Sequence, residues 1–181
     1  MVISLPAHMK IVQWVRFTWD LDTLPGGEIS LPAHYSFTSA KRTDEKDLRA
    51  VIARSFAHDT SWGDAIHDVN GMLDGWVEQA FAPEHRGIAL ALRHGLRIIG
   101  AAILIPDAAA LNHLSPGPCV SMEYRNRGLG TALLGESLRQ LRAVGLKRAA
   151  ALTKSNAPVA KFLYPKFNGV LSSGDVPLLA A

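Results

Sequence analysis

An α/β domain with a mixed, mostly antiparallel sheet is what this sequence predicts, and three observations point there. The first half of the chain is rich in period-two apolar alternation, broken by two segments with helical spacing. The second half alternates strand, helix, strand, helix. Between one of those later strands and its helix lies a turn bearing two glycines, the arrangement by which a backbone presents a helix N-terminus. The length agrees: a chain of 181 residues, 48% of them apolar, buries roughly two thirds of its unfolded surface and needs no metal or disulfide to hold a core.

Taken in order, residues 9–19 alternate as a strand with apolar residues on both faces. Residues 22–32, with two prolines and two glycines, form a connection. That divides the chain into an N-terminal strand and connecting segment, 1–33, and a main domain, 34–181. Tyr35 and Phe37 share one side of a short strand at 34–40. Thr43 or Asp44 then offers a side-chain oxygen to cap a helix in which Leu48, Val51, Ile52, Ser55 and Phe56 recur at helical spacing. A second helix is expected over 62–81, weakened by Gly71 and Gly75. Residues 88–92 and 96–105 read as a hairpin turning at Arg93-His94-Gly95. Strand 117–122, helix 129–144, strand 147–153 and helix 158–164 complete the pattern.

Composition narrows the function. A single cysteine, Cys119, rules out an internal disulfide or a four-thiolate zinc site and suits a reducing, cytoplasmic compartment. The longest apolar run, 98–106, is far short of the ~20 residues that cross a bilayer, so no membrane partner is expected. The net charge of +3 comes from scattered basic residues, which suits a phosphate-bearing ligand and argues against nucleic acid. His58, Asp59, Asp64, His67 and Asp68 crowd together in sequence but match no metal-ligand spacing, so no metal is expected.

Chemistry concentrates in 120–131, Val-Ser-Met-Glu-Tyr-Arg-Asn-Arg-Gly-Leu-Gly-Thr, followed by a helix with Leu134, Leu138 and Leu141 on one stripe. Gly128 and Gly130 lack a Cβ, so an anion can approach the unpaired amides at the helix start. A Walker loop is rejected because no lysine follows Gly130, and a dinucleotide fingerprint is weak because position 133 is leucine.

What remains is R-x-x-G-x-G at Arg125, Gly128 and Gly130, introduced by Val120, Glu123 and Tyr124. In this the sequence resembles the GCN5-related N-acetyltransferase family, whose signature is [QR]-x-x-G-x-[GA] after V-x-P-x-Y. Met122 stands where proline is usual. The resemblance implies the acyl-CoA N-acyltransferase fold, a twisted sheet flanked by helices with a splayed central parallel strand pair. It also implies acetyl-CoA as co-substrate. Its diphosphate would lie on the amides of Asn126, Arg127, Gly128, Leu129, Gly130 and Thr131, beside Arg125, and its pantetheine arm along Pro118, Cys119 and Val120.

A second match lies downstream. Ala160, Leu163, Tyr164 and Lys166 keep the family's spacing N-x-x-A-x-x-[LF]-Y-x-K, with Asn156 one residue early and Gly169 one late. The resemblance implies that Asn156 contacts the cofactor arm and that Tyr164 is the general acid. A phenol near the sulfur can donate a proton as the CoA thiolate departs. No carboxylate lies on the 117–122 strand. The residues to test as bases are therefore His113 and Asp107, and Glu123 reads as solvated. Trp62 and Trp76 fall in the segment that covers the acceptor site in the resembling family. The expected activity is acetyl transfer to a primary amine, on a small molecule or a peptide, by direct attack in a ternary complex. The alternatives are a CoA-binding regulatory domain without catalysis, or transfer of a longer acyl group. After Gly169 only 12 residues remain, so the 9–19 strand is expected either to complete the sheet or to form an interface such as that of a homodimer.

Overall fold

The computed structural model describes residues 13–27, 29–63, 66–82 and 87–172. In chain order its elements are β1 (Trp14–Asp20), β2 (Tyr35–Ser39), α1 (Glu45–Ala57), α2 (Ile66–Phe81), β3 (Ile88–His94) and β4 (Arg97–Leu104). There follow β5 (Cys119–Val120), α3 (Leu129–Ala143), β6 (Arg148–Lys154) and β7 (Val170–Ser172). The strands form two sheets, β2-β3-β4-β5 and β6-β1-β7, and every ladder in them is antiparallel.

Alternation along β3 and β4 sets the layers. Leu90, Leu92, Ala102 and Leu104 join the core under α3, which contributes Leu133, Leu134, Leu138 and Leu141. Ala89, Ala91, Ala101 and Ile103 face the other way, onto Leu48, Val51 and Ile52 of α1 and Val77 of α2. Small residues in the second set let the two helices sit close to the sheet. The two faces give an α/β/α sandwich.

The expected first strand is β1, of which 9–12 lie outside the described residues. It completes a sheet: β1 is the middle strand between β6 and β7, with Trp19 opposite Ala149 and Phe17 opposite both Ala151 and Leu171. Phe17 and Trp19 are buried on the face that meets Tyr164.

Several boundaries differ from expectation, each for a local reason. The hairpin turns at Gly95-Leu96, with Gly95 at φ +58 supplying the positive φ of a two-residue loop. Arg93 and His94 stay in β3, where Arg93 pairs with Asp44 at 2.8 Å and donates to Thr38 Oγ1. Asp44 does not cap α1. Its carboxylate accepts the Lys41 N–H at 2.9 Å and closes a 3-10 turn, Arg42–Asp44, ahead of the helix. The second helix begins at Ile66, after a separate turn at Thr60–Trp62. Gly71 and Gly75 face open space and leave it unbroken. Between Pro116 and Pro118 the chain has few N–H groups for a ladder, so β5 is only two residues long. The last helix is a five-residue π turn, Val159–Leu163, closed by Tyr164 N–H onto Val159 O at 2.8 Å.

The join between the two sheets positions the site. His113 N–H donates to Ala150 O at 2.7 Å, and Ala150 N–H returns to His113 Nδ1 at 3.0 Å, fastening the loop before β5 to β6. The same loop bonds β4 through Ile105 N–H to His113 O and Ser115 N–H to Ile103 O. Beyond that pin no ladder links β5 to β6 among the described residues, and a cavity is walled by Gly117, Pro118 and Cys119 on one side and Leu152 and Thr153 on the other.

Candidate functional site

The turn from β5 into α3 is held open by its own side chains. Arg125 points inward: its Nε donates to Val120 O at 3.0 Å, and its Nη2 to Ser55 O at 2.8 Å and Ser55 Oγ at 3.1 Å. It therefore fastens the end of α1 to β5. Asn126 and Gly128 adopt φ of +61 and +76, and no side chain caps the helix. The first main-chain bond from the turn into the helix is Ala132 N–H to Gly128 O, so the amides of Leu129, Gly130 and Thr131 have no partner within it. Leu129 anchors the turn, its side chain buried in the core.

Of these three residues, Gly130 and Thr131 line a groove of about 510 Å³. Val120, Asn126, Gly128, Gly130 and Thr131 form one wall; Pro158, Phe162, Leu163 and Lys166 face them. Lys166 Nζ donates to Thr131 Oγ1 at 3.1 Å, which brings an ammonium to the helix start, where the peptide dipoles already favour an anion.

A smaller cavity of about 100 Å³ lies in the gap between the sheets. Buried Tyr164 and Cys119 line it together with the polar residues Ser55, Asp59, Asn112, Ser115 and Thr153 and with an apolar group of Trp14, Phe56, Trp62, Met72 and Trp76. These rings brace one another: Trp62 meets Trp14 and Phe56 edge-on, and Phe56 stacks on Trp76. Ser55, Asp59, Pro118 and Val159 belong to both walls, so groove and cavity meet at those four residues. Tyr164 is buried, edge-on to Phe17 and Trp19, and its hydroxyl lies so close to Gly117 that a Cβ there would fall 2.1 Å from the oxygen. Burial, and next the neighbouring Cys119, push the Tyr164 phenol well above its ordinary pKa. Burial likewise pushes the Cys119 thiol up to about 12. Both groups are therefore protonated at neutral pH.

The structure gathers Pro118, Cys119, Val120, Asn126, Gly128, Gly130, Thr131 and Tyr164 along the two cavities. Arg125 lines the groove, although its guanidinium is spent on Val120 and Ser55. Arg127 folds back, donating to Glu123 O and lying over the Tyr124 ring, outside the groove wall. Asn156 is exposed and lines neither cavity. His113 and Asp107 are also absent from both walls. His113 is the buried pin to Ala150, and exposed Asp107 closes a turn onto Ala109 N–H. Glu123 pairs with Arg97 on the surface.

Sequence reasoning missed three groups. Asp59, read only as part of a metal-like cluster, is the one carboxylate in either wall among the described residues. Its Oδ1 accepts Ser61 N–H at 3.0 Å and Ser61 Oγ at 2.6 Å, which fixes its direction. The signal was present, because an aspartate two residues before a serine is a turn-capping pattern, but its distance to the motif is not visible in sequence. Lys166 kept the family's spacing without a role. Thr153, in the wall of the smaller cavity, has a buried Oγ1 with no protein partner.

The family model for the acetyltransferase (GNAT) family matches residues 54–169. No curated protein matches the chain. Among solved structures, it is similar to a GCN5-related N-acetyltransferase from Sphaerobacter thermophilus, with 15% identity and a TM-score of 0.58, over 89% of this chain and 49% of that one. A functionally unknown conserved protein from Staphylococcus epidermidis gives 13% identity and a TM-score of 0.57, over 90% and 60%. A GCN5-related N-acetyltransferase from Kribbella flavida gives 16% and 0.51, over 86% and 53%. The chain thus spans about half the length of these structures, and at such identities the likeness is one of fold.

Proposed function

The chain belongs to the acetyltransferase (GNAT) family, and from that premise we propose that it transfers an acetyl group from acetyl-CoA to a primary amine by direct attack in a ternary complex. The observation that carries this reading is the uncapped N-terminus of α3, which opens on a groove that joins a second, smaller cavity at Ser55, Asp59, Pro118 and Val159. Acetyl-CoA would enter through the groove, its diphosphate on the amides of Leu129, Gly130 and Thr131 with Lys166 alongside. Its pantetheine arm would follow Pro118, Cys119 and Val120 to bring the thioester to the junction. The amine would approach from the smaller cavity, so that holding both reactants in line supplies much of the rate.

Tyr164 suits the role of proton donor to the departing thiolate. A phenol whose burial keeps it neutral retains the proton it must give. Cys119 does not suit the role of acyl carrier, because the thiolate is the nucleophile and burial holds its thiol at about 12. That favours direct transfer over an acyl-cysteine intermediate.

A domain that binds the thioester without transferring its acyl group is the second reading, favoured by the position of Asn156 outside the groove. Calorimetry with acetyl-CoA, followed by a thiol-release assay with amines, separates the two. Heat of binding and amine-dependent release are expected. Binding without release across a broad amine panel would favour the second reading, and no heat would overturn both. Running the assay with longer acyl-CoA donors tests the acetyl group itself.

A further inference from the structure

We infer that the acceptor is a compact, apolar primary monoamine, held by its ammonium on Asp59 with its carbon body among Trp14, Phe56, Trp62 and Trp76. The inference rests on the proposed transfer reaction and names its second substrate.

Three features of the smaller cavity converge on that class. Its volume of about 100 Å³ is below that of an engineered ~150 Å³ cavity that takes benzene, so it admits roughly three to five carbons. Its wall carries one charge among the described residues, the Asp59 carboxylate at the junction with the donor groove, and neither lysine nor arginine. Ser61 engages Asp59 Oδ1, leaving Oδ2 to meet a cation. Beyond Asp59 the wall is largely aromatic and aliphatic, with Ser55, Asn112, Ser115 and Thr153 as its other polar residues. Of these, Ser55 Oγ already accepts from Arg125, and Asn112 Oδ1 from Leu114 and Leu152. Lys154 braces the rings with its ammonium 5.5 Å from the Trp62 ring centre. An amino acid would bury a carboxylate with no cation in the wall, and a polyamine or amino sugar would bury polar groups against indole rings. Each costs affinity, because a desolvated polar group without a partner is expensive. The unpartnered Thr153 Oγ1 gives the cavity one further hydrogen bond to offer.

The protons balance. The ammonium nitrogen passes one proton through Asp59, which is half-buried and borders the open groove, to solvent. The freed amine attacks the thioester carbon, the C–N bond forms and the C–S bond breaks. Tyr164 protonates the sulfur and recovers its proton from the new amide nitrogen.

The test is a thiol-release assay with acetyl-CoA, comparing butylamine and isobutylamine with spermidine, glucosamine, glycine and a lysine-containing peptide. The alkylamines should lead in kcat/KM by about tenfold or more, the order expected of a shaped apolar site. Asp59→Asn should raise the KM for alkylamines by about 10- to 100-fold, the range for losing a charged hydrogen bond, and Asp59→Glu should recover part of it. Trp76→Ala, which alters the smaller cavity alone, should shift preference toward the bulkier phenethylamine by about tenfold while calorimetry still detects acetyl-CoA. Preference for the polyamine, amino sugar, amino acid or peptide in a protein that does transfer acetyl overturns the inference by itself. No heat with acetyl-CoA overturns the transfer reading beneath it.

Discussion

The donor groove and the acceptor cavity meet at four residues yet are built in opposite ways. The groove is largely one contiguous stretch: Val120 to Thr131 supplies the turn, the positive-φ residues and the open amides. The cavity is assembled from α1, the Thr60–Trp62 turn, α2, β1, β6 and the loop before β5. A backbone site depends on local conformation, which short-range sequence dictates. A side-chain cavity depends on how distant elements pack, and the same scaffold can present different walls. The difference teaches that donor identity should survive changes in the cavity, whereas acceptor choice should not.

Tyr164 lines the acceptor cavity yet is proposed to protonate the donor's sulfur, so replacing it should have the largest effect. Tyr164→Phe is expected to lower kcat by about 10²-fold with acetyl-CoA affinity intact, the usual worth of a positioned acid. Gly117→Ala provides an independent check, because its Cβ would fall 2.1 Å from the Tyr164 oxygen and must displace the ring. If steady-state kinetics show kcat unchanged in Tyr164→Phe, the acid lies elsewhere and the regions are not coupled through this residue.

Arg125 sharpens the comparison from the other side. In the motif it reads as a ligand-binding cation, whereas in the structure it fastens α1 to β5 by three hydrogen bonds. Arg125→Ala should therefore cost about 2 kcal/mol of stability, measured by urea denaturation. A salt-dependent loss of acetyl-CoA affinity with stability unchanged would return it to the role of a phosphate contact.

Gly128 tests whether the groove is preformed. A Cβ there meets nothing within 4 Å, so the strain of Gly128→Ala is conformational only, at φ +76. The expected cost is about 1 kcal/mol in unfolding free energy. Acetyl-CoA affinity should fall by less than about fivefold, the equivalent of that energy. Gly128→Asn should cost less, since asparagine tolerates the left-handed region.

How much of this was legible follows the same division. The strand, turn and helix around Gly128 were readable because glycines and a helical stripe encode them locally. The β3–β4 hairpin was readable in kind but misplaced by a residue or two, because Arg93 and His94 look like turn residues until Asp44 and Thr38 satisfy Arg93 from outside its strand. That β1 would lie between β6 and β7 could not be read, since strand pairing across more than a hundred residues leaves no local mark. Asp59 was hidden for the same reason. Its carboxylate gains meaning only when the end of α1 is brought against Pro118 by Arg125 and Ser55.

His113 carries the smallest expected effect and explains why the gap between the sheets stays open at one end only. Its main chain and its ring together make both bonds to Ala150, and Nδ1 can accept the Ala150 N–H only while that nitrogen is unprotonated. Burial lowers the pKa of the imidazole from its ordinary 6.5. The unfolded chain therefore takes up a proton that the folded chain refuses, and stability is lost as pH falls from about 6.5 toward the folded value. From pH 7 to pH 6 the loss is at most roughly 0.7 kcal/mol for this one group. His113→Asn offers an oxygen where Nδ1 stood but cannot titrate, so urea midpoints measured across that range should decline less in the variant than in the parent. Parallel declines would mean that His113 is not the group that senses acid, and that the pin holds by shape and hydrogen bonding alone.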